Sequence, residues 1–199
     1  MLERTTMIHC LPNSLTILRI ISIPLLLLAF QLPGVWSNWG ALFIFVVAGA
    51  TDYFDGLLAR RLGATTNFGR MLDPIADKML AAAVIAVLLS VGNMPLVPAV
   101  TIICREILVS GLREYLANRG IRMPVSPLAK WKTAAQFAAL GMLLAGEAIH
   151  WPKGVFWSVS EMGSALIWIA AVLTVITGYG YWKIGYRHIV AGEDQGVCR

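Results

Sequence analysis

Long apolar stretches separated by short polar breaks run through the whole chain. The breaks carry turn-forming residues, among them Pro33-Gly34 and Gly92-Asn93, which readily end helices. Each apolar stretch is close to the roughly 20 residues that a helix needs to cross a bilayer. The pattern predicts an all-α membrane protein with six transmembrane helices, over residues of about 14–32, 39–60, 71–92, 95–118, 128–149 and 157–182. Residues 1–12 are mixed in polarity and predict a short interfacial segment on the membrane surface.

The composition supports a membrane protein of one domain, residues 1–199. The chain is 58% hydrophobic and 14% charged, whereas soluble domains have about 25% charged residues. Arg19 interrupts the first apolar stretch and no small-residue cleavage site follows it, so we expect this stretch to remain as the first helix. The three cysteines are far apart and predict neither a disulfide framework nor a zinc site. We expect no nucleic-acid partner.

Basic residues are distributed unevenly between the two sides of the predicted bundle. Of the 16 Lys and Arg residues, only Lys153 falls in the loops 33–38, 92–95 and 150–157. Because Lys and Arg concentrate in cytoplasmic loops, both termini are predicted to be cytoplasmic. The cytoplasmic ends of the second and third helices then carry the main acidic residues of the chain.

Four aspartates form two pairs at these helix ends. Asp52 and Asp55 are three residues apart, and Asp73 and Asp77 are four apart, so each pair lies on one helix face. Acidic groups at a bilayer are costly and usually functional. Hard divalent cations prefer oxygen ligands, and two such ions would balance four carboxylates. The pairs therefore predict a divalent-metal site, although a cation path or ion pairs with neighbouring arginines would also use these acids.

Small and basic residues complete a longer pattern around the aspartates. Small residues in membrane helices commonly serve helix packing, but beside four carboxylates they favour a ligand site. The full pattern is D-x2-D-G-x2-A-R-x8-G-x3-D-x3-D. It resembles the signature of the CDP-alcohol phosphatidyltransferase family at all eight defined positions. The segments PNSLTILRIISIP, CREILVSGLREYLA and KWKTAAQ resemble family members that use glycerol 3-phosphate as the acceptor.

The resemblance implies a fold, a reaction and a set of site residues. It implies six transmembrane helices, usually a homodimer in the bacterial inner membrane, with a metal site open to the cytoplasm. An alcohol would attack the β-phosphorus of CDP-diacylglycerol, a membrane lipid, and CMP would leave. Asp77 would act as general base besides binding metal. Two Mg²⁺ or Mn²⁺ ions would be held by Asp52, Asp55, Asp73 and Asp77. CDP-diacylglycerol would be contacted by Asp52, Gly56, Ala59, Arg60 and Gly69, with the arginine near its phosphates.

The acceptor pocket is predicted from cations on the fourth and fifth helices. Arg105 and Arg113 are eight residues apart, which is close to two helical turns, and Lys130 and Lys132 open the next helix. Arginine suits bidentate recognition of phosphate, so these cations favour a phosphate-bearing acceptor such as glycerol 3-phosphate. The alternative is an ion pair between Arg105 and Glu106 that only satisfies both charges. Other acceptors left open are inositol phosphate, serine and phosphatidylglycerol.

Overall fold

The computed structural model describes residues 17–62, 67–121, 123, 126–146 and 158–196. The side chains of residues 52–71, 73 and 189–196 lie outside this description, as do the predicted surface segment 1–12 and the predicted loop 150–157. All regular elements in the described part are helices, which confirms the all-α class. They are α1 (Ile17–Ala29), α2 (Val35–Leu62), α3 (Asn67–Ser90), α4 (Leu96–Asn118), α5 (Pro127–Ala145) and α6 (Val159–Gly196).

Two of the predicted breaks between helices, at Gly34 and Gly92, fall where the sequence indicated. Gly34 and Gly92 have φ angles of +64° and +76°, a left-handed conformation that glycine adopts without a steric penalty. The first precedes α2 and the second follows α3. Turn chemistry therefore decided these two boundaries, as predicted.

Several other boundaries differ from the prediction: α2 begins at Val35, α5 ends at Ala145, and the largest differences lie between α2 and α3 and at the end of α6. The polar loop expected over residues 61–70 is shorter, because α2 ends at Leu62 and α3 begins at Asn67. Pro74 would stand in the first turn of the predicted helix 71–92, but it lies inside α3 because that helix begins earlier. Proline has no N–H to donate to the helical hydrogen bond at this position. In addition, α6 continues to Gly196 instead of ending near residue 182. Hydropathy marks where a helix leaves lipid, whereas backbone hydrogen bonding decides where the helix ends.

One described helix is long and apolar enough to cross a membrane by length and composition. It is Val159–His188, with 30 residues and a mean hydropathy of 1.9 in its most apolar window. Ile17–Ala29 and Val35–Thr51 are shorter apolar helices. Charged residues lower the apolar character of α4, which contains Arg105, Glu106, Arg113 and Glu114.

The chain divides into two compact units. The first comprises Met1–Met94 with Leu140–Ser160, and the second comprises Pro95–Ala139 with Glu161–Arg199. In the first unit, Phe45 and Val84 are buried, and the Asn38 amide donates a hydrogen bond of 3.3 Å to the carbonyl of Ala145. In the second unit, Ile102 and Ile167 are completely buried. The aspartates belong to the first unit, and the cations predicted for the acceptor pocket belong to the second.

Close packing of α4 against α6 within the second unit gives a test of the fold. A methyl group added at Gly185 would lie 2.6 Å from both Cδ atoms of Leu112 and 2.9 Å from its Cγ. Overpacking of this kind costs about 1–3 kcal/mol, so Gly185→Ala should lower the thermal unfolding temperature. Gly111→Ala is the matched control, since nothing lies within 4 Å of its added methyl group. Equal unfolding temperatures for the two variants would contradict this packing.

Candidate active site

The four aspartates lie on helical backbone in the first unit. Asp52 and Asp55 fall within α2, and Asp73 and Asp77 within α3, so both spacings are helical, as predicted. Gly56, Ala59 and Arg60 also lie within α2, and Gly69 lies within α3 rather than in a loop. Of these residues, only Asp77 has a described side chain. The roles predicted for all of them stay predictions.

Asp77 is exposed beside a buried face of α3. Ala76 and Val84 are completely buried and Leu80 is 3% exposed, whereas Asp77 is exposed. The buried residues follow one another at four-residue spacing, which is the spacing of a helix face that packs against the core. Packing of this face therefore fixes the rotation of α3 about its axis, and it leaves the Asp77 carboxylate accessible from outside the core.

The donor chemistry of the aspartate pairs fits divalent magnesium or manganese. Carboxylate oxygens are hard ligands of the kind these cations take, and each pair stands at a spacing that places both residues on one side of a helix. Among the residues whose side chains are described, no group of three or more histidine, cysteine or acidic residues comes together. The predicted ligands Asp52, Asp55 and Asp73 lie outside that set.

In the second unit, a partly buried ionic cluster joins α4, α5 and α6, and its carboxylate, Glu106, is 25% exposed. Glu106 on α4 accepts hydrogen bonds from Arg105 at 3.1 Å and from Lys132 on α5. Arg105 also donates to the hydroxyl of Thr177 on α6 at 3.1 Å. The side chains of Arg105 and Lys132 are 13% and 3% exposed. The ion pair considered as the alternative at Arg105 therefore exists, and it also includes Lys132.

Tyr181 on α6 positions two arginine side chains of α4. The guanidinium carbons of Arg105 and Arg113 lie 5.6 Å and 5.7 Å from the centre of its ring, within the range of a cation–π contact. Tyr181 is 4% exposed, and its hydroxyl accepts a 3.3 Å hydrogen bond from the backbone N–H of Ser126. The eight-residue spacing of the two arginines thus brings both to one aromatic ring. We call Arg105, Glu106, Lys132, Thr177 and Tyr181 the Glu106 cluster.

The two lysines predicted for the acceptor pocket have different surroundings. Lys132 is 2% exposed and belongs to the Glu106 cluster, whereas Lys130 is exposed. Two residues along a helix correspond to a rotation of about 200°, so the two side chains leave α5 on different sides. The structure therefore joins Lys132 to Arg105 through Glu106, and Tyr181 lies close to both Arg105 and Arg113. No described contact joins Lys130 to these residues, and its predicted role stays a prediction.

Thr177 and Tyr181 are site residues that sequence reasoning missed. Together with Thr174 they follow a spacing of three and four residues, which places them on one face of α6. This polar stripe on an otherwise apolar helix is the signal that could have identified them. Gly178 is part of the same arrangement, because a methyl group there would lie 3.1 Å from Cγ of Arg105. Its missing side chain allows Arg105 to lie against α6.

An open groove of 410 Å³ adjoins the Glu106 cluster. Thr177 and Tyr181 belong to both the groove and the cluster. The remaining lining is mostly apolar, and it comes from the start of α5 and from α6: Ser126, Pro127, Leu128, Ile176, Gly180 and Ile184. The groove therefore meets the cluster at Thr177 and Tyr181, whereas Arg105 and Lys132 do not line it.

Comparison with known proteins gives one family match and many similar sequences. The family model described as CDP-alcohol phosphatidyltransferase matches residues 9–176. Proteins named CDP-diacylglycerol–glycerol-3-phosphate 3-phosphatidyltransferase are similar to nearly the whole chain. One from Rickettsia felis is 46% identical over 173 residues, covering 87% of this chain and 93% of its own length. Others come from Pseudomonas fluorescens, at 42% identity over 184 residues (90% and 91% covered), and Cereibacter sphaeroides, at 36% over 209 residues (87% and 94% covered).

The family match spans both aspartate pairs and the Glu106 cluster up to its residues on α5. It covers well over half of the chain, and it agrees with the family that the aspartate signature resembles. The chain therefore belongs to the CDP-alcohol phosphatidyltransferase family.

Proposed function

We propose that this protein transfers the phosphatidyl group of CDP-diacylglycerol to sn-glycerol 3-phosphate, giving phosphatidylglycerophosphate and CMP. The main support for this proposal is that the chain is similar over nearly its full length, at 36–46% identity, to proteins named for this reaction. The complete aspartate signature on α2 and α3 supports the chemistry. The cations of the Glu106 cluster support a phosphate-bearing acceptor.

The predicted site residues would then serve two different substrates. On the side of the lipid substrate, Asp52, Asp55, Asp73 and Asp77 would hold two Mg²⁺ or Mn²⁺ ions. When bound, these ions supply charge stabilisation at the attacking and leaving oxygens. Asp52, Gly56, Ala59, Arg60 and Gly69 would contact CDP-diacylglycerol, with the guanidinium of Arg60 near its phosphates.

Asp77 is the proposed general base. Its carboxylate takes the proton of the acceptor hydroxyl as the hydroxyl oxygen forms a bond to the β-phosphorus. The bond between that phosphorus and the oxygen bridging to the α-phosphorus breaks, and its electron pair leaves with CMP. Displacement at phosphorus depends mainly on positioning and electrostatic stabilisation. An exposed carboxylate on a helix held by its buried neighbours suits a proton transfer of this kind.

The charge balance of the second unit supports binding of the acceptor phosphate. Arg105, Arg113 and Lys132 contribute three positive charges, and Glu106 neutralises one, so two remain. Guanidinium groups are well shaped for phosphate oxygens. Glu106 and Tyr181 hold the cations in place before the acceptor arrives. This preorganisation reduces the entropy lost on binding.

We further propose six membrane spans in the bacterial inner membrane, with both termini and the active site facing the cytoplasm. Support comes from the length of the apolar stretches and from the near absence of basic residues in the three loops predicted to be outside. We also propose a homodimer, as the family resemblance implies. Single-cysteine labelling at the exposed residues 33 and 118 in intact vesicles tests the orientation, since opposite accessibility is expected.

A panel of acceptor alcohols tests the proposed reaction. Purified protein with Mg²⁺ and labelled CDP-diacylglycerol should release CMP and form a lipid product with glycerol 3-phosphate. Much less product is expected with serine or phosphatidylglycerol, because neither carries the phosphate dianion that two surplus positive charges favour. Less is also expected with inositol phosphate, because the similar proteins are named for glycerol 3-phosphate. Lipid products would be separated and quantified for each alcohol. Product formation with another alcohol and none with glycerol 3-phosphate would overturn the proposed acceptor.

A further inference from the structure

Arg105 of the Glu106 cluster, and two residues one helical turn from Lys132 and Thr177, carry buried polar atoms without hydrogen-bond partners among the described residues. They are Nε of Arg105, Oε1 of Gln136 and Oγ1 of Thr174. Gln136 is 7% exposed and Thr174 is completely buried. Buried polar atoms are nearly always hydrogen-bonded in folded proteins. Three such atoms in one region indicate that a polar occupant completes the site.

Helix register places Gln136 and Thr174 at the same level of the cluster. Ser126 at the start of α5 contacts Tyr181 of α6. Lys132, further along α5, is linked through Glu106 and Arg105 to Thr177, which lies earlier in α6. The two helices therefore run in opposite directions. One further turn takes Lys132 to Gln136 on α5 and Thr177 to Thr174 on α6.

The chemistry of the three atoms defines their missing partners. The Nε of Arg105 is a donor and needs an acceptor such as a phosphate oxygen. The amide oxygen of Gln136 is an acceptor and needs a donor such as a hydroxyl group. The hydroxyl of Thr174 can either donate or accept a hydrogen bond. An occupant with a phosphate at one end and a hydroxyl group one helical turn away would satisfy all three.

We propose that Gln136 and Thr174 bind the non-reacting central hydroxyl of glycerol 3-phosphate and make the enzyme specific for a glycerol acceptor. This inference rests on the proposed function. The phosphate lies against Arg105, Arg113 and Lys132, and the central hydroxyl donates a hydrogen bond to the Gln136 amide oxygen. Gln136 and Thr174 are positioning residues, and the terminal hydroxyl remains the nucleophile. A site built to bond a hydroxyl discriminates strongly against an acceptor that lacks it.

The test compares glycerol 3-phosphate with 3-hydroxypropyl phosphate, which keeps the phosphate and a primary hydroxyl but lacks the central one. Purified full-length protein with Mg²⁺ and CDP-diacylglycerol should prefer glycerol 3-phosphate in kcat/KM by about ten- to a hundredfold, the value of one or two buried hydrogen bonds. Gln136→Leu should reduce this preference to near one. The loss should arise on glycerol 3-phosphate alone, with the KM for CDP-diacylglycerol unchanged.

Two further variants keep the test decisive. Thr174→Val removes only the hydroxyl and should reduce the preference in the same direction, whether or not Gln136→Leu folds. Thr133→Val is the matched control, because Thr133 is exposed and donates its hydrogen bond to the carbonyl of Ala129 on its own helix. It should keep the wild-type preference.

The outcomes separate this inference from the proposed function. A wild-type enzyme that uses both phosphates equally, or variants that keep the full preference, would overturn the roles of Gln136 and Thr174 while leaving the reaction intact. A wild-type enzyme that turns over neither phosphate but uses another alcohol would overturn both.

Discussion

Replacing Asp77 with asparagine is expected to abolish most CMP release while leaving the protein folded. Asparagine has nearly the same shape as aspartate, but it accepts no proton at neutral pH and carries no charge. Loss of a general base alone lowers rates by about 10²–10⁴-fold. CMP release from CDP-diacylglycerol at saturating glycerol 3-phosphate measures the effect. Because Asp77 is exposed, the unfolding temperature should change little.

A metal titration distinguishes the two roles proposed for Asp77. If the aspartate served only to bind metal, raising the Mg²⁺ concentration would restore much of the rate of Asp77→Asn. We expect little recovery, because the missing proton acceptor is not replaced by more metal. Glu114→Gln is the control for loss of one exposed carboxylate and should behave as wild type. Wild-type CMP release by Asp77→Asn would remove Asp77 from the mechanism.

Replacing Lys132 with methionine is expected to impair acceptor binding far more than lipid binding. A charge-assisted hydrogen bond to a buried lysine contributes about 1.5–3 kcal/mol, so the KM for glycerol 3-phosphate should rise by about ten- to a hundredfold. The KM for CDP-diacylglycerol should stay within a factor of two or three of wild type. Steady-state kinetics with each substrate varied in turn measures both.

The structure also raises a competing explanation, in which Lys132 serves only to neutralise Glu106. Its removal leaves the carboxylate with Arg105 as its remaining partner in the cluster, and a poorly compensated buried charge is strongly destabilising. Adding Glu106→Gln to Lys132→Met removes that charge and should restore the unfolding temperature. The KM for glycerol 3-phosphate should remain high in the double variant. Recovery of both together would show that Lys132 has a structural role only.

These two variants act on different compact units. Asp77 belongs to the first unit and Lys132 to the second. We therefore expect the defect of Asp77→Asn in kcat and that of Lys132→Met in the KM for the acceptor. This division agrees with a reaction in which carboxylates serve the nucleotide-linked lipid and cations serve the second substrate.

Local pattern determined much of this protein. Long apolar stretches predicted the helices, and turn residues placed the breaks at Gly34 and Gly92. The eight-position signature identified the family, because its residues lie close together in sequence at helical spacings. The spacing of Arg105 and Arg113 also predicted that both face the same way, since eight residues are close to two helical turns.

Contacts between distant helices were decided only by the tertiary structure. Tyr181 and Thr177 lie more than 60 residues from Arg113 in sequence, and only packing of α4 against α6 brings them to the arginines. Burial likewise separated Lys132 from Lys130, which the charge pattern had treated alike. The pair between Arg105 and Glu106 was considered from the sequence, but Lys132 was not considered as a second partner of Glu106, because only the packing of α5 against α4 brings it there. Spacing along one helix is a local property, whereas the partner of a buried charge depends on which other helix reaches it.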